Sequence, residues 1–124
     1  MKKILAVLFF TIIASVTFAG MNDGDKSRTI ECTGIYYANS MIPQGELELE
    51  KIVHSFAAKK FLTSYLIKDG VKEEKLNKEL LAIVDIRYGK PYEEQLTKEC
   101  DKFIFKSISG SKDEIKKIAE SGIY

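Results

Sequence analysis

The chain has 124 residues with 19 Lys and Arg against 18 Asp and Glu, so it has no single-sign field with which to recruit nucleic acid or an anionic membrane surface. Its basic side chains are nearly all Lys. Only Arg28 and Arg87 supply the guanidinium fork that phosphate and guanine contacts favour, so nucleic acid is not expected as a partner.

The first nineteen residues read as an address. Lys2 and Lys3 give a basic start, residues 4–14 are an uncharged apolar run, and Thr17-Phe18-Ala19 places small residues at −3 and −1 for cleavage before Gly20. That is the layout of a secretory signal peptide, removed from the mature protein. A lone membrane anchor is the competing reading. The apolar run falls short of the ~20 residues that span a bilayer and no stop-transfer pattern follows, so stable insertion after cleavage is not expected. The expected destination is the periplasm, with the extracellular space as the alternative. Residues 20–27, GMNDGDKS, are polar and glycine-containing and are expected to form a flexible tail. Residues 28–124 then make a single domain.

An exported chain meets an oxidising compartment, where an even cysteine count reads as disulfides. The two cysteines, Cys32 and Cys100, allow one intramolecular bridge. Free or intermolecular thiols and a metal site are the competing readings. The metal reading is short of ligands, with one histidine and no C-x-x-C pair. No metal or other cofactor is expected.

Five glycines, at 45, 70, 89, 110 and 122, punctuate segments of helical periodicity. The first helix is expected over 28–41, with Cys32, Ile35, Tyr36 and Asn39 on one stripe and Ile30, Gly34, Tyr37, Ala38 and Met41 on its neighbour. Gly34 costs about 1 kcal/mol inside a helix and is expected where another helix approaches closely. The second helix is expected over 47–68, with Ile52, Val53, Phe56, Ala57, Phe61 and Tyr65 facing the core. Its opening ELELE alternates like a strand, but no partner strand is evident. The third is expected over 72–88, opened by Glu73 and Glu74 and closed by Arg87, the order the helix dipole favours. The fourth is expected over 91–106 with Pro91 at its first position. The fifth is expected from 111, where Ser111-Lys112-Asp113-Glu114 reads as a capping box. The fold class is an all-α bundle of four to five helices, with the disulfide joining the first and fourth.

No catalytic motif stands out. There is no G-x-S-x-G, H-E-x-x-H, phosphate loop or dinucleotide fingerprint. His54 lies on or beside an apolar stripe, and the sequence marks no nucleophile or carboxylate as its partner. Asp85 interrupts LLAIVDIRYG, where helical spacing sets it beside Leu81 and Tyr88. The reading as a boundary residue competes with that of a polar anchor at a binding surface. Residues 20–124 hold six tyrosines against four phenylalanines, and tyrosine suits sites with one dry and one wet side. Adjacent Tyr36 and Tyr37 point about 100° apart on a helix, so both cannot easily be buried. The candidate protein-binding residues are therefore Tyr36, Tyr37, Asp85 and Tyr88.

A resemblance rests on ECTGIYYAN in the first segment and LTKECDKFIFKS in the fourth. With one cysteine early and one late in a small exported helical chain, the layout resembles immunity proteins that neutralise type VI secreted amidases. That resemblance implies a Cys32–Cys100 disulfide, a helical body compatible with a homodimer, and a secreted cell-wall hydrolase as partner. It is also similar to periplasmic acid-stress chaperones that bridge two helices, although those chains are shorter and lack so long a second helix. The function expected is non-enzymatic binding of another protein, of immunity or inhibitor type. An envelope-stress chaperone and a small enzyme of unrecognised type are the alternatives. Material purified from the envelope fraction is expected to have the intact mass of a chain starting at Gly20 or within a few residues of it. Recovery of the full-length chain from cytosol alone would contradict export.

Overall fold

A computed structural model describes residues 20–122; the segment read as a signal peptide, 1–19, and Tyr124 lie outside them. Five helices follow one another: α1 (Asp23–Ser40), α2 (Leu49–Lys68), α3 (Glu73–Arg87), α4 (Glu94–Ser107) and α5 (Ser111–Ser121). Among the described residues there is no strand, only an isolated bridge between Gln44 and Leu47 in the loop before α2. The all-α class and the disulfide between first and fourth helices are as the sequence predicts. ELELE runs through this loop into the start of α2.

α1 is the central element. It packs against α2, α3 and α4, while α5 covers α2 and the end of α4. The sequence of α1 explains how it can sit there. Its buried residues include Thr29, Thr33, Asn39 and Ser40 beside Cys32, Gly34, Ile35 and Tyr36. Short hydroxyl side chains can satisfy themselves on their own helix. Thr29 Oγ1 donates to the Asp25 carbonyl at 2.7 Å, Thr33 Oγ1 to the Thr29 carbonyl at 2.7 Å, and Ser40 Oγ to the Tyr37 carbonyl at 2.6 Å. Burial of these groups therefore leaves no orphaned donor.

Cys32 and Cys100, both fully buried, are joined with Cα atoms 5.5 Å apart and 68 residues of separation. In the chain-entropy account, closing such a loop stabilises by roughly 4 kcal/mol. Ile35, Tyr36, Ala57, Ala58, Leu62, Ile104, Ile108 and Ile115 gather around it as the main core. A smaller cluster of Leu66, Leu76 and Leu80, flanked by Ile30, Tyr37 and Val71, fills the space between α1, the end of α2 and α3.

Three local expectations are corrected. Residues 20–27 do not stay outside the fold: α1 begins at Asp23, within the segment read as a tail. Asn22 caps it, accepting from the Asp25 amide at 2.8 Å, and Asp23 and Asp25 lie in its first turn. Met21 is half-buried against the main core, and Lys26 reaches Asp69 at the far end of α2 at 3.4 Å. The same residue types that make a polar tail also make a helix start, and tertiary contacts decide between them. At the fourth helix, Pro91 lies in the extended approach and α4 starts only at Glu94, with Glu93 at the cap position. Proline's fixed φ suits both the first helical turn and extended chain, so its presence could not choose. At the fifth, the cap position falls to Gly110, at φ 79°, and Ser111 is buried. The Ser111 hydroxyl donates instead to the Ile104 carbonyl at 3.1 Å, tying α5 to the last turn of α4. The αL conformation at Gly110 allows that tight corner, which a residue with Cβ would strain.

Gly34 behaves as its position implies. A Cβ there would stand 2.6–2.7 Å from three carbons of the Ile83 side chain on α3. Gly34→Ala is therefore expected to destabilise by about 1–2 kcal/mol in urea melts, overpacking outweighing the gain in helix propensity. In an Ile83→Ala background the same change is expected to be neutral or stabilising. Equal effects in the two backgrounds would show that close approach is not what selects glycine.

Candidate functional site

Cys32 and Tyr36 lie one turn apart on α1, and Cys100 and Asp101 are adjacent on α4. The disulfide therefore draws Tyr36 and Asp101 together as well. The Tyr36 hydroxyl donates to Asp101 Oδ1 at 2.5 Å. From α2, His54 Nε2 lies 2.9 Å from the same oxygen, an ion pair when the imidazole is protonated. The His54 ring meets Tyr36 edge-on at 5.8 Å and Phe105 at 6.5 Å. One turn further along α1, Asn39 Nδ2 donates to Thr97 Oγ1 at 3.1 Å. Three helices thus converge on one carboxylate.

Tyr36 has no exposed surface. Its pKa is pushed far above the ordinary value of 10.0, first by burial, then by the facing Asp101 charge and the hydrogen bond to it, with Tyr92 adding in the same direction. His54 and Asp101 are more open, with side chains 33% and 27% exposed. They line a polar cleft of about 430 Å³ with Glu48, Lys51, Tyr92 and Glu94. Desolvation lowers the Lys51 pKa, but Glu48 and Glu94 outweigh it and leave it raised. On its other side His54 borders an apolar groove of about 640 Å³ between α2 and α5, floored by Val53, Phe105, Ile115 and Ala119. The cluster joins elements and presents an imidazole edge. Both cysteines are oxidised, so no thiol is available for covalent chemistry. Among the described residues no group of three or more His, Cys, Asp and Glu is placed to hold a metal ion.

The structure separates the four residues singled out as a binding surface. Tyr36 is corrected: it is a core residue, because the disulfide turns its stripe of α1 toward α4. Tyr37, on the neighbouring stripe, is half-buried against the smaller core cluster, with Lys59 Nζ 4.5 Å from the ring centroid. Asp85 and Tyr88 are exposed together on the outer side of α3, Tyr88 to 70%. Tyr88 also lines a cleft of about 500 Å³ at the loop end of the bundle, with Met41, Ile42, Pro43, Arg87 and Tyr92. Sequence reasoning missed the His54–Asp101 pair and Met41. Asp101 itself had a signal, since it follows one cysteine and Tyr36 sits one turn from the other. The pairing of His54 across 47 residues had none.

Comparison of this chain with protein-family models, with curated proteins and with solved structures finds no match.

The buried phenol gives a pH signature. In the fold Tyr36 keeps its proton, while in the unfolded chain it ionises near its ordinary 10.0. Below that pH both states hold the proton. Above it, only the unfolded state sheds one, so the Tyr36 contribution makes stability fall by about 1.4 kcal/mol per pH unit. Denaturant titrations from pH 9 to 11.5 should show Tyr36→Phe losing less stability across that range than wild type, by about that slope. Parallel curves would show that the phenol does not stay protonated in the fold.

Proposed function

We propose that this protein is exported to the periplasm and acts, without catalysis, by binding another protein, as an immunity or inhibitor protein whose target is a secreted cell-wall hydrolase. The observation that carries the binding reading is the loop-end cleft, where Met41 and Tyr88 are 45% and 70% exposed beside Pro43, Arg87 and Tyr92. Aromatic, Met and Arg side chains are what protein interfaces concentrate at their centres, and Tyr and Arg supply a large share of hot spots. Such groups on a rigid helix end and a short loop lose little conformational freedom on binding. Export is supported by the basic and apolar start of the chain and by the disulfide. Among the described residues no helix is long and apolar enough to cross a membrane.

A second reading is favoured by one observation. Leu49, Leu81 and Ile86 are 60%, 51% and 67% exposed, away from the cleft lining. Apolar side chains spread over several faces suit an envelope chaperone that holds unfolded clients. The two readings differ in selectivity. An inhibitor blocks one enzyme at equal stoichiometry, whereas a chaperone suppresses aggregation of unrelated proteins.

The test uses the mature, disulfide-intact protein and the double variant Met41→Ala/Tyr88→Ala, checked by circular dichroism for an unchanged fold. Affinity capture from envelope extracts should recover a cell-wall hydrolase with wild type. The purified pair should show the hydrolase's release of soluble cell-wall fragments blocked near one-to-one. The double variant should bind at least tenfold more weakly, about 1.4 kcal/mol. Equal capture by both proteins would move the surface elsewhere. A captured hydrolase that works at full rate would overturn the inhibitor reading.

A further inference from the structure

The residues before α1 meet the far end of α2. Met21 is half-buried against the main core, its sulfur accepts from the Thr29 hydroxyl at 3.1 Å, and Asn22 caps α1. These contacts hold the backbone that follows Gly20. Gly20 itself lies against Asp69, the cap residue of α2. A Cβ built on Gly20 would stand 2.1 Å from Asp69 Oδ1 and 3.2 Å from Oδ2. With bonds of about 1.5 Å at the α-carbon, the Gly20 nitrogen is at most about 5 Å from Oδ1.

Asp69 is short of partners. Its side chain is 12% exposed, and Oδ2 is buried without a hydrogen bond. Lys26 of α1 is the charge that faces it among the described residues. The Lys26 ammonium is 3.4 Å from Oδ2 but donates to the Asp69 backbone carbonyl instead. A carboxylate held out of water with an unfilled oxygen is costly. Its place at a helix C-terminus, where the backbone dipole favours cations, adds to the demand for positive charge.

In the uncut chain Gly20 offers a neutral amide with one N–H. Hydrolysis of the Ala19–Gly20 bond changes that group. Water adds OH to the Ala19 carbonyl and H to the Gly20 nitrogen, and the proton of the new acid passes to the amine. The products at neutral pH are a carboxylate on Ala19, which leaves with the cut segment, and an ammonium on Gly20 with three donors and a full charge.

We propose that Asp69 receives the α-ammonium that signal cleavage creates at Gly20, completing a charge cluster of Gly20, Lys26 and Asp69 that ties the chain start to the end of α2. It rests on the export reading, in which Gly20 becomes the first residue. Glycine suits this position because a Cβ would take the place of the Asp69 oxygen. The uncut chain lacks the second cation, so the tie forms only after cleavage and the mature chain is the more stable form.

The test uses the mature, disulfide-intact chain from the envelope fraction, with glycine labelled with carbon-13 at Cα. Intact mass identifies the first residue. An ammonium beside a carboxylate holds its proton more firmly, so the Gly20 signal should titrate with a midpoint about one unit above the ordinary value near 8. In Asp69→Asn, checked by circular dichroism for an unchanged fold, the midpoint should return to that ordinary value. Stability gives a second reading. An amine whose midpoint is raised in the fold stabilises fully below its unfolded midpoint, and that contribution is lost as pH rises through the folded one. Ordinary lysine keeps most of its charge in this range, so the Lys26 pair contributes a near-constant part. The folding constant of wild type relative to Asp69→Asn should therefore fall about sevenfold between about pH 7 and pH 9.5. An amine that titrates alike in both proteins, or a gap that does not change with pH, would overturn the proposal and leave export intact. A mature chain that begins away from Gly20 would overturn it together with the cleavage site, and leave the binding reading standing.

Discussion

The seam between α1 and α4 organises the molecule, and it is held by bonds of graded kind. A covalent link joins Cys32 to Cys100, a charge-assisted hydrogen bond joins Tyr36 to Asp101, and a neutral one joins Asn39 to Thr97. The three α1 residues fall at i, i+4 and i+7, one row of a helix surface. α1 and α4 share comparatively little backbone contact, and the three bonds span their seam where Ile35, Tyr36 and Ile104 gather around the disulfide. Hydrogen bonds to a charged group contribute roughly 1.5–3 kcal/mol where neutral ones give about 1. Buried beside a crosslink, each of these bonds forms with little further ordering.

Once α1 is fixed to α4 its other faces are committed. The Gly34 side meets Ile83 so closely that no side chain fits between. The third side receives Ala57, Ala58 and Leu62 of α2. α5 is left to cover α2, anchored by the Ser111 hydroxyl on the end of α4. A helix surrounded in this way must bury polar residues, and α1 does so because Thr29, Thr33 and Ser40 bond back to its own carbonyls while Asn39 donates to Thr97. His54 enters from α2 to the same Asp101 oxygen, so one carboxylate reports on the docking of three helices.

The surfaces follow from that core. Because α1 takes the centre, α3 is covered on one side only, by α1 and the end of α2. The loops that bring the chain out of α1 and out of α3 meet at one end, and the exposed Met41 and Tyr88 are their product. In the proposed reading, recognition through this cleft leaves the stapled bundle unchanged while the contact residues stay accessible.

The sequence by itself determined the helices and their staple. Glycines at 70, 89, 110 and 122 lie within two residues of helix ends with positive φ as their spacing implied, and Gly45, also at positive φ, turns the loop between α1 and α2. The odd placement of Gly34 inside a helix announced a close neighbour, and two cysteines in a chain with an export-type start could form only one internal bridge. These are local or combinatorial facts. What only the tertiary structure decided was which face of each helix meets which partner. Tyr36 and Tyr37 are adjacent and chemically identical, and periodicity places them on neighbouring stripes without saying which stripe faces α4. The disulfide chose Tyr36, so it became core while Tyr37 stayed at the edge under Lys59. Asn22, Pro91 and Ser111 each suit two local conformations of similar energy, and packing of Met21, Tyr92 and the end of α4 broke the tie. His54 and Asp101 belong to different helices 47 residues apart, and no one-dimensional pattern records a distance that exists only after those helices have docked.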